Sequence, residues 1–507
     1  MLRVHEFLTT SAERFPQKTA LVCGSARHSY ADLEAMANRL AHALLECGLE
    51  RGDRVAIFMP NSVESVVAIF AVLKAGGVFV VVNHATRANK LAYILRDCAA
   101  RAIVVDGRRA GQVLRAMEQV PSLRCGIVKG AISLADDRLF DWAAVQERYP
   151  AQRPAVAVAA QDLACLVYTS GSTGEPKGVM EGHDNVDFVT SSIISYLDNQ
   201  PEDVVIDVLP FSFDYGLYQL LMTFKFGGTL VLEKSFAYPV TVLQKIAAER
   251  VTGLPGVPTL FALLMRMDLS CYDFSCLRYI TNTAAALPVR HIQEIRRSFP
   301  AARLYSMYGL TECKRTLYLP PEELERRPTS VGIPIPGTEV WIEGEDGSRV
   351  GPGEVGELVV RGPHVMRGYW NSPELTARSF RPGPAPGERL LYTGDLFWAD
   401  EEGFYYFVSR QDDIIKSRGE KVAPKEIENV LCGLPGVAEA AVVGVPDPLL
   451  GEAIKAFVVA SDPALTEQDV LRHCRLHLED LMVPQHVEFL DALPKMASGK
   501  VFKTDLV

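Results

Sequence analysis

Along most of the chain, apolar positions fall into blocks that switch between a helical and an extended period. The opening residues, MLRVHEFLTTSAERFP, place apolar side chains on one helical face. They lack the uninterrupted apolar core of a signal peptide. Ser29-Tyr30-Ala31-Asp32-Leu33 opens a second helical segment, with Ser29 or Asp32 as its cap. Asp53–Met59 reads as a buried strand, Glu64–Ala75 as a helix and Val78–Val82 as another strand. Helix Lys90–Asp97 and strand Ala102–Val105 continue the alternation, and Leu163–Tyr168 is a further apolar strand. The pattern recurs at strand Val204–Leu209, strand Thr229–Leu232, helix Val240–Glu249, strand Gly253–Val257 and helix Thr259–Met267. Strands alternating with helices at this spacing predict a parallel sheet covered by helices, an α/β fold. Val66–Val82 is the most apolar stretch, but Lys74 and the breaker Gly76-Gly77 divide it into helix and strand, not a membrane span.

The pattern changes after about Val331. Short alternating segments (GTEVWIEGEDG, GEVGELVVRG, GFYYFVSR) separated by Gly and Pro predict a β-rich subdomain over about 331–408. The polar run RQDDIIK at Arg410–Lys416 then leads into a small α+β unit. Helix Lys425–Leu431, strand Glu439–Gly444, strand Ile454–Val459 and helix Glu467–Leu478 belong to it. A chain of 507 residues is too long for one core, so at least two domains are expected.

Composition narrows the class. With 48% hydrophobic and 22% charged residues the chain reads as soluble and globular. A net charge of −10 speaks against nucleic-acid binding, so any phosphates must be held by a local site. The ten cysteines show no CxxC spacing and read as reduced thiols of a cytoplasmic protein. His473 and His477 stand one helical turn apart without a third ligand, which suits a solvated helix face better than a metal site.

The chemistry concentrates at Leu166–Gly178. The strand runs straight into Thr169, Ser170, Gly171, Ser172, Thr173 and Gly174, with Lys177 close behind. Hydroxyls, exposed backbone N–H groups and one ammonium in a tight space are what a polyphosphate needs. Glycine lets the backbone approach the anion. The pattern departs from the usual P-loop, because Pro176 precedes Lys177 and Gly178 follows it. Pro176 disfavours a helix entering there, so the loop should not rest on a helix dipole. A flexible surface linker of Ser, Thr and Gly is the alternative reading of this stretch.

This loop, YTSGSTGEPKG, is followed by YGLTE (Tyr308–Glu312), YTGD (Tyr392–Asp395), SRQDDIIKSRGEKVAPKEIE (Ser409–Glu428) and PKMASGK (Pro494–Lys500). In this order the motifs resemble the adenylate-forming superfamily of acyl- and aryl-CoA ligases, luciferases and adenylation domains, over nearly the whole chain. The resemblance implies a large N-terminal domain, residues 1–408, of two helix-covered sheets plus the β-rich subdomain. It also implies a hinge at 409–412 around Asp412 and a small mobile C-terminal domain over 413–507.

The resemblance further implies roles. Lys177 and the hydroxyl loop would hold the pyrophosphate, while Thr311 and Glu312 would meet the α-phosphate and a Mg2+ ion. Tyr308 would lie within the nucleotide site. Asp395 would accept from the ribose hydroxyls, with Arg410 beside it. Thr283, Ala284 and Ala285 would lie against the adenine, although Thr283 replaces the usual glycine. Lys500 would stabilise charge on the α-phosphate during attack. After rotation Lys500 would leave the site, and the face containing Lys416–Lys421 would line the acceptor entrance. The implied reaction turns a carboxylic acid and ATP into acyl-AMP and pyrophosphate, followed by transfer to a thiol.

Acid and acceptor are less marked. In Pro210-Phe-Ser-Phe-Asp-Tyr-Gly-Leu-Tyr218, Phe213 stands where related CoA ligases often carry histidine. Asp214 stands where amino-acid-activating relatives place an aspartate for the substrate amine, or it caps the following helix. The expected acid pocket holds Asp214, Tyr215, Tyr218, Gly253, Val257, Thr281, Asn282 and Ser306, which suits a small or medium acid. The acceptor is CoA, the phosphopantetheine of a separate carrier protein, or an amine. A non-catalytic nucleotide sensor is the alternative outside enzymes, and the presence of Lys177, Glu312 and Lys500 weighs against it.

Overall fold

The computed structural model describes residues 1–130, 136–170, 176–417, 420–447, 450–495 and 501–506. Among them the strands form four sheets, of nine, seven, five and five strands. The seven-stranded sheet runs in the order Leu139–Asp141, Cys125–Lys129, Ala102–Asp106, Arg54–Phe58, Val78–Val81, Leu163–Ser170, Pro176–Gly182. Its strands are parallel except at the last pairing. Val55 and Ile57 face the main core, whereas Ala56 and Phe58 face a second core beneath helices Ala88–Asp97 and Ala110–Gln119. Both faces are dry, which is why these strands read as continuous apolar runs.

The nine-stranded sheet has Val204–Asp207, Gly253–Gly256, Tyr279–Asn282 and Arg303–Tyr308 as parallel neighbours. One main core joins it to the first sheet through helices Val4–Arg14, Tyr30–Glu46, Val63–Lys74 and Asp214–Phe226. Phe70 and Phe224 stack with centroids 5.3 Å apart, and Tyr30 meets Phe224 edge-on at 5.4 Å. The Tyr30 hydroxyl donates to the Gly228 carbonyl at 2.7 Å. Ser29 caps its helix by accepting from the Asp32 N–H, as its position in the sequence suggests.

Lys74 ends the apolar helix inside this core. Its ammonium lies 2.6 Å from Glu34 and 2.9 Å from the Thr9 hydroxyl, joining the first three helices. No helix among the described residues is long and apolar enough to cross a membrane.

The third sheet comprises Glu339–Glu343, Gly356–Arg361, Arg389–Ala399 and Phe380–Pro382, with Tyr405–Arg410 added on Arg389–Ala399. The β-rich stretch therefore starts later than its composition indicates, because Ile333–Pro334 completes the edge of the nine-stranded sheet. Its last strand runs to Arg410, past the expected limit at 408. The fourth sheet, with helices Pro424–Gly433 and Glu467–His477, closes over its own apolar core of residues such as Ile427, Val442, Ile454 and Val470. His473 and His477 spend a ring nitrogen each on a backbone carbonyl, at 3.1 and 2.9 Å. No cluster suited to a metal ion occurs among the described residues, and the cysteines are free.

Glu34→Ala should lower stability by about 3 kcal/mol, because it strands a buried ammonium. Pairing it with Lys74→Met should restore most of the loss. Thermal unfolding of both variants checks this, and equal instability of the single and double variants contradicts it.

Candidate active site

The apolar strand Leu163–Ser170 pairs antiparallel with Pro176–Gly182. Residues 171–174, including Gly171, Ser172, Thr173 and Gly174, lie outside the described residues, as does Lys500. Ser170 faces Pro176 across the hairpin, and Thr169 faces Lys177. A segment from the β-rich part lines the outer edge: the Trp370 N–H donates to the Gly178 carbonyl at 2.7 Å and the Met180 N–H to the Gly368 carbonyl at 3.0 Å. The hairpin thereby borders a cleft of about 770 Å³ lined by Thr169, Lys177, Thr311, Glu312, Asp395, Arg410 and Asp412.

The opposite wall depends on a tight return after strand Arg303–Tyr308. A Cβ on Gly309 would lie 1.5 Å from the Lys314 carbonyl oxygen, so no other residue fits there. The Thr316 N–H donates to the Tyr308 carbonyl at 2.9 Å and closes the turn. Lys314 adopts a left-handed φ of 56°. Glu312 projects toward the cleft and accepts from the Tyr369 hydroxyl at 2.7 Å.

Lys314 turns inward. Its ammonium pairs with Glu181 of the hairpin and lies 3.5 Å from Asp214, the first residue of helix Asp214–Phe226. The Tyr218 hydroxyl donates to Glu181 at 2.9 Å. Burial pulls the Lys314 ammonium down, but the charges of Glu181 and Asp214 outweigh it and hold it above the usual lysine range. The partner that a buried Asp214 requires is therefore supplied by the chain itself. The helix has no side-chain capping bond, and its cap residue is Phe213, not Asp214.

Asp395, at 2% exposure, receives the Tyr308 hydroxyl at 2.7 Å and lies 3.4 Å from the Arg410 guanidinium. Thr283 and Ala284 line the cleft, whereas Ala285 does not. Ala284 has a φ of 74°, a conformation in which glycine is at ease. On either side of the undescribed 496–500, Lys495 and Val501 are bridged, and Pro494, Lys495 and Phe502 line the cleft.

Of the acid pocket expected from sequence, Asp214 and Tyr215 line the cleft, whereas Tyr218, Gly253, Val257, Thr281, Asn282 and Ser306 do not. Tyr218 spends its hydroxyl on Glu181, and Thr281 meets the Tyr215 hydroxyl at 2.6 Å. Asn282 donates to the Ala285 carbonyl at 3.0 Å, while Gly253 packs on the Tyr279 ring. Val257 caps helix Pro258–Leu264, and Ser306 pairs with Leu319 in the sheet.

Reading from sequence missed Glu181, Lys314, Arg315 and Asp207. The only signal for the middle pair is Lys-Arg inside the otherwise uncharged stretch CKRTLYL. Arg315 lines the cleft with its guanidinium 4.4 Å from the Tyr215 ring centre. Asp207 ends strand Val204–Asp207 fully buried; one oxygen accepts from the Leu209 N–H at 3.0 Å. Burial pushes its carboxyl well above the usual range.

Two family models match this chain: "AMP-binding enzyme" over residues 8–370 and "AMP-binding enzyme C-terminal domain" over residues 426–500. A long-chain-fatty-acid–CoA ligase of Salmonella typhimurium is 33% identical, across 99% of this chain and 93% of that protein. A feruloyl-CoA synthase of an Amycolatopsis species is 34% identical, across 98% of this chain and 96% of its own. The crystal structure of the anthranilate CoA ligase AuaEII in complex with anthranoyl-AMP superposes with a TM-score of 0.92 at 26% identity. That match covers 100% of this chain and 96% of the ligase.

Asp207 also yields a pH prediction. Its folded-state pKa is raised, so its contribution to stability is complete below the unfolded value of about 3.9 and is lost as pH rises. Asp207→Asn keeps the uncharged shape. Its thermal midpoint relative to the native chain should therefore climb as pH rises from about 5 to about 8. A difference that stays flat or falls over that range contradicts the assignment.

Proposed function

The chain belongs to the AMP-binding enzyme family, and from that premise we propose that it joins a carboxylic acid to a thiol at the expense of ATP. The acid and ATP form acyl-AMP and pyrophosphate; a thiol, CoA by analogy with the relatives, then takes the acyl group and releases AMP. The observation that carries this reading is the convergence on one cleft of Lys177, Thr311, Glu312, Asp395 and Arg410, drawn from separate motifs.

The first step needs positioning and charge neutralisation more than an acid or base. Lys177 and Thr169, with the loop beyond them, hold the leaving pyrophosphate. Thr311 meets the α-phosphate. Asp395 accepts from the ribose, and its Tyr308 and Arg410 contacts fix the carboxylate in place. Thr283 and Ala284 pack on the adenine side. Glu312 suits Mg2+: it offers a single hard carboxylate at the cleft, oriented by Tyr369, and leaves the rest of the shell to phosphate oxygens. When bound, that ion neutralises phosphate charge. Lys500 approaches the α-phosphate from the C-terminal unit, whose neighbouring residues Pro494, Lys495 and Phe502 border the cleft.

Between the steps the C-terminal unit, residues 413–507, rotates about 409–412, with Asp412 as the pivot. Its separate apolar core supports movement as a body. The face around Lys416–Lys421 then meets the thiol. Acceptance of free amino acids is disfavoured, because Asp214 already has Lys314 as its partner.

Lys500→Ala should slow acid-dependent pyrophosphate release by about 10²–10³-fold. Release at the native rate in a coupled pyrophosphate assay counts against the assignment. Asp412→Pro should spare adenylation or thioester formation but not both, measured separately; equal loss of the two removes the hinge.

A further inference from the structure

Arg315 stands apart from the other buried cations. It is 2% exposed, and its Nε and Nη2 atoms have no hydrogen-bond partner. Arg327 shows how this fold treats an internal guanidinium: Glu323, Asp400 and Glu402 all pair with it. The ammonium of Lys74 likewise has Glu34, and that of Lys314 has Glu181 and Asp214. Arg315 has no ion pair with any described residue; its guanidinium lies over the Tyr215 ring at 4.4 Å. A cation withdrawn from water without an anion is costly, and an aromatic face repays only part of that cost.

Arg315 forms part of the cleft wall together with Phe213, Asp214, Tyr215 and Lys314, and its Nε and Nη2 are closed to water as the side chain stands. A guanidinium presents parallel N–H groups that match the two oxygens of a carboxylate. Asp214 cannot fill this role while Lys314 engages it, so the anion must arrive with the ligand. We propose that Arg315 receives a second carboxylate carried by the substrate, so that the acids this enzyme activates are dicarboxylic. One carboxylate reacts at the α-phosphate while the other pairs with Arg315 beside Tyr215. This inference rests on the acid-ligase reading and names its substrate class.

The test is acid-dependent pyrophosphate release with matched pairs: pentanoate against glutarate, hexanoate against adipate, benzoate against isophthalate. In at least one pair, the native enzyme should favour the dicarboxylate in kcat/KM by about 100-fold or more, since buried donors left unmet penalise the analogue that lacks their partner. Arg315→Met should abolish or invert that ratio, and Arg315→Lys, which keeps charge but not the fork, should fall between. Native preference for the monocarboxylate in every pair overturns the proposal, whether or not the variants fold. So does an unchanged ratio in Arg315→Met, which would place Arg315 at the reacting carboxylate that all acids share. Pyrophosphate release from no acid at all would overturn the ligase reading as well.

Discussion

One buried ammonium ties the walls of the cleft together. Lys314 pairs with Glu181 on the return strand of the phosphate hairpin and lies 3.5 Å from Asp214 at the head of helix Asp214–Phe226. The hairpin belongs to the seven-stranded sheet, whereas Lys314 follows a strand of the nine-stranded one. A charge in a dry place must keep its partners, so the two sheets are held in one relation across the cleft. The same turn that sinks Lys314 brings Glu312 and Arg315 to the cleft. Gly309 permits it, because only a residue without Cβ tolerates the Lys314 carbonyl at that distance.

The cleft also resolves a conflict in the bulk charge. In a chain of net charge −10 the cleft still carries local cations, Lys177 at the hairpin and Arg410 beside Asp395. Two buried carboxylates near the site, Glu181 and Asp214, share Lys314, and burial pushes the Asp207 carboxyl well above the usual range.

Much of the fold was legible in the sequence because its main sheets are buried on both faces. Thr229–Leu232 coincides with its observed strand, and Arg54–Phe58 and Val78–Val81 fall within a residue of their expected limits. The return strand Pro176–Gly182 was not legible: its proline and glycines mask a strand that exists through pairing with Leu163–Ser170 and the segment around Tyr369. At the site, Thr169, Lys177, Thr311, Glu312, Asp395 and Arg410, carried by ordered motifs, share the cleft, while residues 171–174 and Lys500 lie outside the described residues. Most of the expected acid pocket does not line the cleft, because motif order does not reveal which way a strand-end side chain points: Thr281 meets the Tyr215 hydroxyl instead, and Ser306 is buried in the sheet. The pairing of Glu181 with Lys314 is long-range and leaves no local pattern to read.

The central claim is that the carboxylate attacks the α-phosphorus within this cleft. Oxygen-18 in the carboxylate of the acid follows that bond. After one complete turnover with ATP and a thiol acceptor, mass spectrometry should find a single labelled oxygen in the AMP and none in the pyrophosphate. Unlabelled AMP, or cleavage of ATP to ADP and phosphate, would contradict the account.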